Sequence, residues 1–238
     1  MADAGSCEVI VGVIPLVPSL HLVALASNTG PAPGRTLRCM SDHPWAEAWN
    51  SLYEAGTTPW DLGQPHPELV RRLEIEPSLG TGSVGRALVP GAGSGQDAGA
   101  LARAGWTIAA VDLAPAVEPK LRASVEPYGG TATIGDALAL EEGEPFDLVF
   151  DHTFFCAIDP DLRPEFGTLC RRMLAPGGAV ISIVFPIGIR TGGPPWSFDV
   201  EMLGEALGDG FEVEEVSEPF TTKRRRSPHV WARWRFDG

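Results

Sequence analysis

The sequence predicts an α/β fold in which helices cover both faces of a mostly parallel β-sheet. From residue 86 onward, apolar runs typical of strands alternate with amphipathic stretches typical of helices. This regular β-α-β alternation indicates parallel strands joined by helical connections. The last two strand-like runs, "FEVEEVSE" and "HVWARWRF", follow each other without a helix between them, and they therefore predict an antiparallel final strand.

Each element is predicted from its local pattern. Residues 43–56, "HPWAEAWNSLYEAG", predict a helix because aromatic and apolar side chains recur at helical spacing. The loop "GTTPWDLGQP" follows, since proline fixes φ and lacks an N–H donor. The later elements are, in order, helix "HPELVRRLE", strand "GRALVP", helix "QDAGALARAG", strand "WTIAAVD", Pro-interrupted helix "PAVEPKLRASV", strands "TATIGD" and "FDLVFDH", helix "RPEFGTLCRRMLAPGG", strand "AVISIVFPI" and helix "DVEMLGEALGDG".

The composition is that of one globular domain, with 44% apolar and 21% charged side chains among 238 residues. The formal net charge of −13 argues against nucleic acid as a partner, because phosphate binding needs clustered lysine and arginine. The short basic run at residues 223–226 is predicted to be a solvated loop or strand edge. The four cysteines show no zinc-ligand spacing, so we predict a reduced, cytoplasmic protein without a metal site.

Residues 1–39 differ in character from the rest of the chain. Residues 9–26 form an apolar run, but this run contains two prolines and a histidine, and no basic residue precedes it. A membrane span or a signal peptide is therefore not predicted. We expect residues 1–39 to be a disordered or non-native leader and residues 40–238 to form the single domain.

Three alternating glycines, Gly91, Gly93 and Gly95, lie between a predicted strand and a predicted helix. Glycine allows the backbone to turn sharply and to approach a ligand that any Cβ atom would exclude. Asp112 ends the next strand, 21 residues after Gly91, where a carboxylate can accept hydrogen bonds from ribose hydroxyls. The pattern predicts a nucleotide site, yet residues 93–98 also satisfy the dinucleotide pattern GxGxxA, so the ligand stays open at this point.

Further motifs follow in a fixed order: Asp136 in "IGD", His152 at the end of "FDLVFDH", and "LAPGG" before a long strand. In this order they resemble the class I S-adenosylmethionine-dependent methyltransferase fold. The resemblance implies a seven-stranded, Rossmann-like sheet with an antiparallel last strand and an N-terminal helical lid. It also implies that Asp136 faces the adenine, that Ala137 offers backbone contacts, and that His152 lies beside the methyl donor.

Four segments resemble the thiopurine S-methyltransferase family, and best its thiol, thiocyanate and halide methyltransferase branch: "WNSLYEAGTTPWDLGQPHPEL", "ALVPGAGSGQD", "FDLVFDHTFFCAIDPDLRPEF" and "FPIGIRTGGPPWSFDVEML". The resemblance covers roughly residues 43–236 and implies that S-adenosylmethionine is bound and S-adenosylhomocysteine is the product. The implied cofactor-binding residues are Trp49, Tyr53, Trp60, Gly91, Gly93, Gly95, Asp112, Leu113, Asp136, Ala137 and His152. The implied walls of the substrate pocket are Phe154, Phe155, Cys156 and Trp196.

Two positions depart from the family pattern. Tyr53 stands where relatives often carry tryptophan, and His152 stands where the plant proteins tend to carry tyrosine. His152 could therefore contact the cofactor, contact the substrate in a pH-sensitive way, or be a plain core histidine. Trp45 is expected to cap the core.

The expected reaction is an in-line displacement of the methyl group by a small thiol or anion, helped by a site of low polarity. A dedicated base is not required, because a thiol with a pKa of about 8.5 is already partly ionised near neutral pH. Arg163 or Arg190 could steer an anion. Two alternatives remain, an NAD(P)-dependent Rossmann oxidoreductase and a methyltransferase-like module that binds the cofactor without catalysis. A monomer is expected.

Overall fold

The computed structural model describes residues 45–80, 85–188 and 192–238, and within these ranges seven strands form one β-sheet. The strands are β1 (Arg86–Pro90), β2 (Thr107–Asp112), β3 (Thr131–Ile134), β4 (Phe146–His152), β5 (Leu174–Val184), β6 (Phe211–Val216) and β7 (Val230–Phe236). The described helices are α1 (Ala46–Glu54), α2 (Pro67–Ile75), α3 (Pro77–Gly80), α4 (Gln96–Arg103), α5 (Glu118–Val125), α6 (Arg163–Met173) and α7 (Val200–Leu207). The leader predicted at residues 1–39 and the predicted anion-steering Arg190 lie outside the described residues.

The strand order is β3-β2-β1-β4-β5-β7-β6. β1 pairs in parallel with both β2 and β4, and the parallel arrangement continues to β3 on one side and to β5 on the other. β7 runs antiparallel to its two neighbours, β5 and β6. The predicted α/β fold with a mostly parallel sheet and an antiparallel last strand is confirmed.

Each face of the sheet has its own apolar core. On one face Val149 of β4 packs with Phe166 of α6 and Leu203 of α7. On the other face the adjacent residue, Leu148, packs with Leu101 of α4. Successive side chains of a strand point to opposite faces, and both faces are covered here. The central strands therefore read as continuous apolar runs in the sequence.

The segment "LAPGG" departs from its prediction as the end of a helix. α6 ends at Met173, and Leu174 already pairs with β4 as the first residue of β5. The pairing register then shifts, which marks a bulge. Pro176 has no N–H group with which to continue a helix, and Gly177 has a φ of 85°. These two residues therefore form part of the irregular start of a strand.

The carboxyl ends of β1, β2 and β4 meet at one edge of the sheet, where they carry the glycine turn, Asp112 and His152. The strand order reverses between β1 and β4, because β1 connects outward to β2 and β3 while β4 connects to β5. Ligands of open α/β sheets bind at the carboxyl ends of strands, at such a reversal. This edge therefore defines the candidate site.

Candidate active site

The turn after β1 is built from glycines that adopt left-handed backbone conformations. The φ angles are 57° at Gly91, 55° at Gly93 and 80° at Gly95, which is the N-cap of α4. Residues with a Cβ atom rarely adopt such angles. A Cβ atom at Gly91 would lie 2.6 Å from Cδ2 of Phe154, and one at Gly93 would lie 2.9 Å from the Tyr53 hydroxyl oxygen. The turn thus requires glycine for conformation and for space.

Asp112 ties the end of β2 to the glycine turn. Its buried carboxylate accepts hydrogen bonds from the Gly93 N–H at 2.8 Å and from the Ala114 N–H at 2.9 Å. Burial raises the pKa of the carboxyl group, and the N–H donors act in the opposite direction. A carboxylate offers about four lone-pair sites, so Asp112 keeps acceptor capacity for the hydroxyl groups of a ribose.

The lid, which we define as residues 45–65, places its aromatic side chains on this turn. Trp60 Nε1 donates a hydrogen bond to the Tyr53 hydroxyl oxygen at 3.1 Å. The Trp60 ring meets the rings of Trp49 and Tyr53 edge-on, with centroid separations of 5.2 and 5.6 Å. Burial, followed by the negative charge of Asp112, raises the pKa of Tyr53. The three aromatic residues predicted from the sequence therefore form one cluster over Gly93.

Two polar side chains of the lid fasten it to the carboxyl edge of the sheet. Asn50 Oδ1 accepts a hydrogen bond from the Ala116 N–H at 2.8 Å, in the segment that follows β2. Asp61 Oδ2 accepts one from the Ser94 hydroxyl at 2.5 Å, within the glycine turn. No sequence motif relates Asn50 or Asp61 to a partner on a different element, so neither contact could be predicted from the sequence.

An inner cavity of about 50 Å³ lies between the lid and the glycine turn. Five of the predicted residues line it, together with other residues of the lid, of α4 and of the segment after β4. The predicted lining residues are Tyr53, Trp60, Gly91, Gly93 and His152, and additional ones include Asp61, Leu62, Gln64, Asp97 and Thr153. This volume holds a few water molecules, so the lid as described lies close against the turn.

His152 lies between the carboxylate of Asp97 and the guanidinium of Arg225. Its Nδ1 lies 2.6 Å from Oδ2 of Asp97, and its Nε2 lies 3.1 Å from Nη1 of Arg225. A carboxylate only accepts and a guanidinium only donates, so His152 is neutral in this arrangement with its proton on Nδ1. Burial pushes the pKa of Asp97 upward, but His152 and the His66 N–H outweigh it and the net pKa is lowered.

Arg225 comes from the basic run at residues 223–226 and differs from its neighbours. Lys223, Arg224 and Arg226 are exposed, in agreement with a solvated loop, whereas Arg225 is half-buried. Its Nη2 donates a hydrogen bond to the Trp60 carbonyl oxygen, and its guanidinium lies 4.7 Å from the Phe185 ring centroid. Burial lowers the pKa of Arg225. This residue connects the C-terminal part of the chain to the lid, a contact that the sequence analysis missed.

Two further histidines lie next to His152. The His66 ring centroid is 4.9 Å from that of His152 and 5.4 Å from that of His229, and His66 and His229 are fully buried. The His66 Nδ1 accepts a hydrogen bond from the Glu68 N–H and so caps α2. Burial lowers the pKa of His66 to about 3 and that of His229 to about 4.

We expect the free energy of unfolding to fall as the pH is lowered from about 6.5 towards 4. Both histidines are neutral when folded, while an unfolded histidine has a pKa of about 6.5, so the unfolded chain binds more protons in this window. Each such group contributes a slope of about 1.4 kcal/mol per pH unit. His66→Asn keeps an N-cap residue and removes one titrating group. Urea denaturation at several pH values should show a smaller slope for the variant, and equal slopes would contradict the low pKa of His66.

The segment after β4 contains the predicted substrate walls, and it is organised by a buried acid. Asp151 accepts hydrogen bonds from the Ser182 hydroxyl and from the N–H groups of Phe154 and Phe155. Phe154 is half-buried and contacts the glycine turn, whereas Phe155 and Cys156 are buried in the core. Burial raises the pKa of the Cys156 thiol to about 12.

The remaining predicted residues lie around this centre. Trp196 is half-buried and meets Trp45 edge-on at a centroid separation of 6.0 Å. The Arg163 guanidinium lies 4.9 Å from the ring centroid of Phe155 and donates a hydrogen bond to the Ser197 carbonyl oxygen. Both contacts are with residues of this region of the protein. Leu113 is half-buried beside Asp112, Asp136 accepts a hydrogen bond from the Leu138 N–H, and Ala137 is buried in the core.

No helix among the described residues is long and apolar enough to cross a bilayer. In residues 45–80, 85–188 and 192–238, no group of three or more His, Cys, Asp or Glu is arranged to hold a metal ion. The strand order, the glycine turn and the buried carboxylate at the end of β2 together define a class I S-adenosylmethionine-dependent methyltransferase.

The chain belongs to the thiopurine S-methyltransferase family, whose family model matches residues 45–230. It is 36% identical over 206 residues to a "Probable thiol methyltransferase 2" of Arabidopsis thaliana, with coverage of 83% of this chain and 88% of that protein. It is 34% identical over 196 residues to "Thiocyanate methyltransferase 1" of the same plant, covering 79% and 83%. A "Thiopurine S-methyltransferase" of Legionella pneumophila (strain Corby) is 28% identical over 202 residues, covering 76% and 87%.

A solved structure supports the fold. The 1,6-didemethyltoxoflavin-N1-methyltransferase of Burkholderia thailandensis, solved with bound S-adenosylhomocysteine, has a TM-score of 0.64 at 18% identity and covers 87% of this chain and 94% of its own. The chain is therefore a methyltransferase of the thiopurine and thiol methyltransferase type that uses S-adenosylmethionine. The predicted class is confirmed and favoured over the oxidoreductase and the non-catalytic module.

Proposed function

We propose that the chain methylates a small acceptor that is an anion or ionises readily, such as a thiol, thiocyanate or a halide. The observation that carries this proposal is the half-buried guanidinium of Arg225 behind the inner cavity. It hydrogen-bonds the neutral ring of His152 and forms no salt bridge with a carboxylate of the described residues. A half-buried positive charge favours an anion nearby, and Asp97 acts on Arg225 only from the far side of the His152 ring. The printed names of the plant relatives, a thiol and a thiocyanate methyltransferase, agree with this chemistry.

The residues of the carboxyl edge fit the methyl donor. Gly91, Gly93 and Gly95 would hold its methionine part by backbone contacts, and Asp112 would accept hydrogen bonds from its ribose hydroxyls. Leu113, Asp136 and Ala137 would surround the adenine, with His152 beside the donor. When bound, S-adenosylmethionine supplies a methyl group on a positively charged sulfur atom.

The aromatic cluster of the lid would stabilise this positive charge. Trp49, Tyr53 and Trp60 present aromatic rings around the glycine turn, and a cation near such rings gains about 0.5–2 kcal/mol when water is excluded. The inner cavity of about 50 Å³ is too small for a nucleoside. The lid would therefore open to admit the donor and close again over it, releasing and re-forming the contacts of Asn50 and Asp61 with the body of the domain.

Three described side chains near the inner cavity that could act as a base, Cys156, Asp151 and His152, are not available to the acceptor. The Cys156 thiol has a pKa of about 12, and Asp151 is occupied by three hydrogen-bond donors. His152 uses Nδ1 for Asp97 and Nε2 for Arg225, so neither ring nitrogen is available. The acceptor therefore has to arrive ionised. Phe154 and Trp196 would serve as walls of its pocket, with the buried Phe155 and Cys156 behind them.

A pH series with two acceptors tests this proposal. Below the pKa of an acceptor thiol, kcat/KM should rise about tenfold per pH unit, because only the thiolate reacts and no enzyme base assists. With thiocyanate, kcat/KM should stay nearly constant over the same pH range. Thiols of different pKa should shift the profile accordingly. A profile that is the same for every acceptor would instead indicate a titrating group of the enzyme.

Binding and turnover measurements separate the methyltransferase from the two alternatives. Tight S-adenosylhomocysteine binding without turnover of thiols, thiocyanate or iodide would indicate a module that does not catalyse. Binding of NADH without binding of S-adenosylhomocysteine would indicate an oxidoreductase. The proposal includes a monomer that acts in the cytoplasm without a membrane or nucleic-acid partner, and the net charge of −13 supports the last of these points. Light scattering during size-exclusion chromatography would measure the oligomeric state.

A further inference from the structure

A second and larger cavity lies next to the inner cavity. It has a volume of about 500 Å³ and lies between the start of α2 and the loop after β6. We call it the outer cleft. Leu62, Pro67 and Phe220 provide its apolar lining. No residue of the proposed donor site lines this cleft, so a ligand bound there would be a molecule other than the methyl donor.

The charged lining of the outer cleft is mainly cationic. Arg71, Lys223 and Arg224 line it, with Glu68 as the acidic residue. Glu68 is already engaged by Arg71 in two hydrogen bonds of 2.8 and 2.5 Å. Lys223 is exposed and forms no salt bridge within the described part of the chain. The local charge is therefore opposite in sign to the net charge of −13 of the whole chain.

The outer cleft and the inner cavity share a wall. Leu62 and Gln64 line both of them. Arg224 Nη1 donates a hydrogen bond to the Leu62 carbonyl oxygen, and Arg225 donates one to the Trp60 carbonyl oxygen. Residues 60–64 of the lid thus separate the two spaces, and two neighbouring arginines hold this segment in place.

We propose that the outer cleft is the first binding site of the methyl acceptor, and that Lys223 attracts small soft anions into it. The inference rests on the proposed function and extends it to the route of the acceptor. A chain with a net charge of −13 repels anions at long range. A cationic patch at a cleft offsets this repulsion, raises the local anion concentration and speeds association. The apolar floor suits a weakly hydrated anion such as thiocyanate or a thiolate.

The chain carries two lysines, Lys120 and Lys223, and they form a matched pair for the test. Both are exposed, but Lys120 lies on α5 and lines neither cavity. At low ionic strength Lys223→Glu should raise the KM for thiocyanate about three- to tenfold with little change in kcat. Lys120→Glu makes the same charge change and should leave both constants near those of the unmodified protein. The difference should shrink below about twofold in 1 M potassium acetate, because the Debye length falls to about 3 Å.

A binding measurement keeps the inference separate from turnover. Line broadening of ¹³C-labelled thiocyanate, titrated with protein loaded with S-adenosylhomocysteine, should be weaker for Lys223→Glu than for Lys120→Glu. Equal broadening or an equal KM in the two variants would overturn the outer cleft as a binding site, whether or not the protein turns over thiocyanate. Broadening that depends on Lys223, in a protein that methylates no acceptor, would support the anion site and reject the proposed function.

Discussion

Gly91→Ala is expected to lower the affinity for S-adenosylhomocysteine by at least about tenfold. The φ of 57° at this position costs a residue with a Cβ atom about 1–2 kcal/mol. The new Cβ atom would also lie 2.6 Å from Cδ2 and 3.0 Å from Cβ of Phe154. The turn would have to shift, and a loss of 1.4 kcal/mol in binding corresponds to a factor of ten. Isothermal titration calorimetry with S-adenosylhomocysteine measures the effect.

Gly129→Ala is the matched control for this prediction. Gly129 also has a left-handed φ, 81°, but a Cβ atom added there would have nothing within 4 Å, and the residue follows α5 far along the chain from the turn. The control should lose about 1 kcal/mol of stability and keep its affinity. If Gly91→Ala bound S-adenosylhomocysteine as tightly as the control does, the glycine turn would not be the donor site.

Asp112→Ala should have the second large effect, a fall of about 100-fold in affinity for S-adenosylhomocysteine. The substitution removes the acceptor proposed for the ribose, and hydrogen bonds to charged groups contribute about 1.5–3 kcal/mol. It also leaves the N–H groups of Gly93 and Ala114 without their partner, which should loosen the turn. Asp112→Asn keeps the shape and one acceptor oxygen, so its affinity should lie between those of the unmodified protein and Asp112→Ala.

Asp147→Ala separates the binding effect from a general loss of stability. Asp147 likewise accepts a backbone hydrogen bond, from the Arg86 N–H at 2.8 Å, but at the amino end of β1 and on the exposed surface. Thermal unfolding should therefore show a loss for this variant while calorimetry shows unchanged affinity. If Asp112→Ala lost no more affinity for S-adenosylhomocysteine than Asp147→Ala does, Asp112 would not be the residue that holds the ribose.

The fold and half of the site could be predicted from local patterns. The alternation of strands and helices depends on periodicities of about two and 3.6 residues, which any short window reveals. The left-handed turn at Gly91, Gly93 and Gly95 depends on the missing Cβ atom, a property of the residue itself. The "LAPGG" prediction was wrong because both a helix end and a strand bulge accept Pro and Gly. The pairing with β4 that decides between them is not local.

The sequence by itself determined the sheet class, the glycine turn and the acid at the end of β2, because each depends on residues near one another in the chain. Only the tertiary structure decided the environment of His152. Its partners Asp97 and Arg225 lie 55 and 73 residues away in sequence. They meet only because β1 and β4 end at the same edge of the sheet and the loop after β6 returns over the lid. The acceptor that we propose rests on contacts of this second kind.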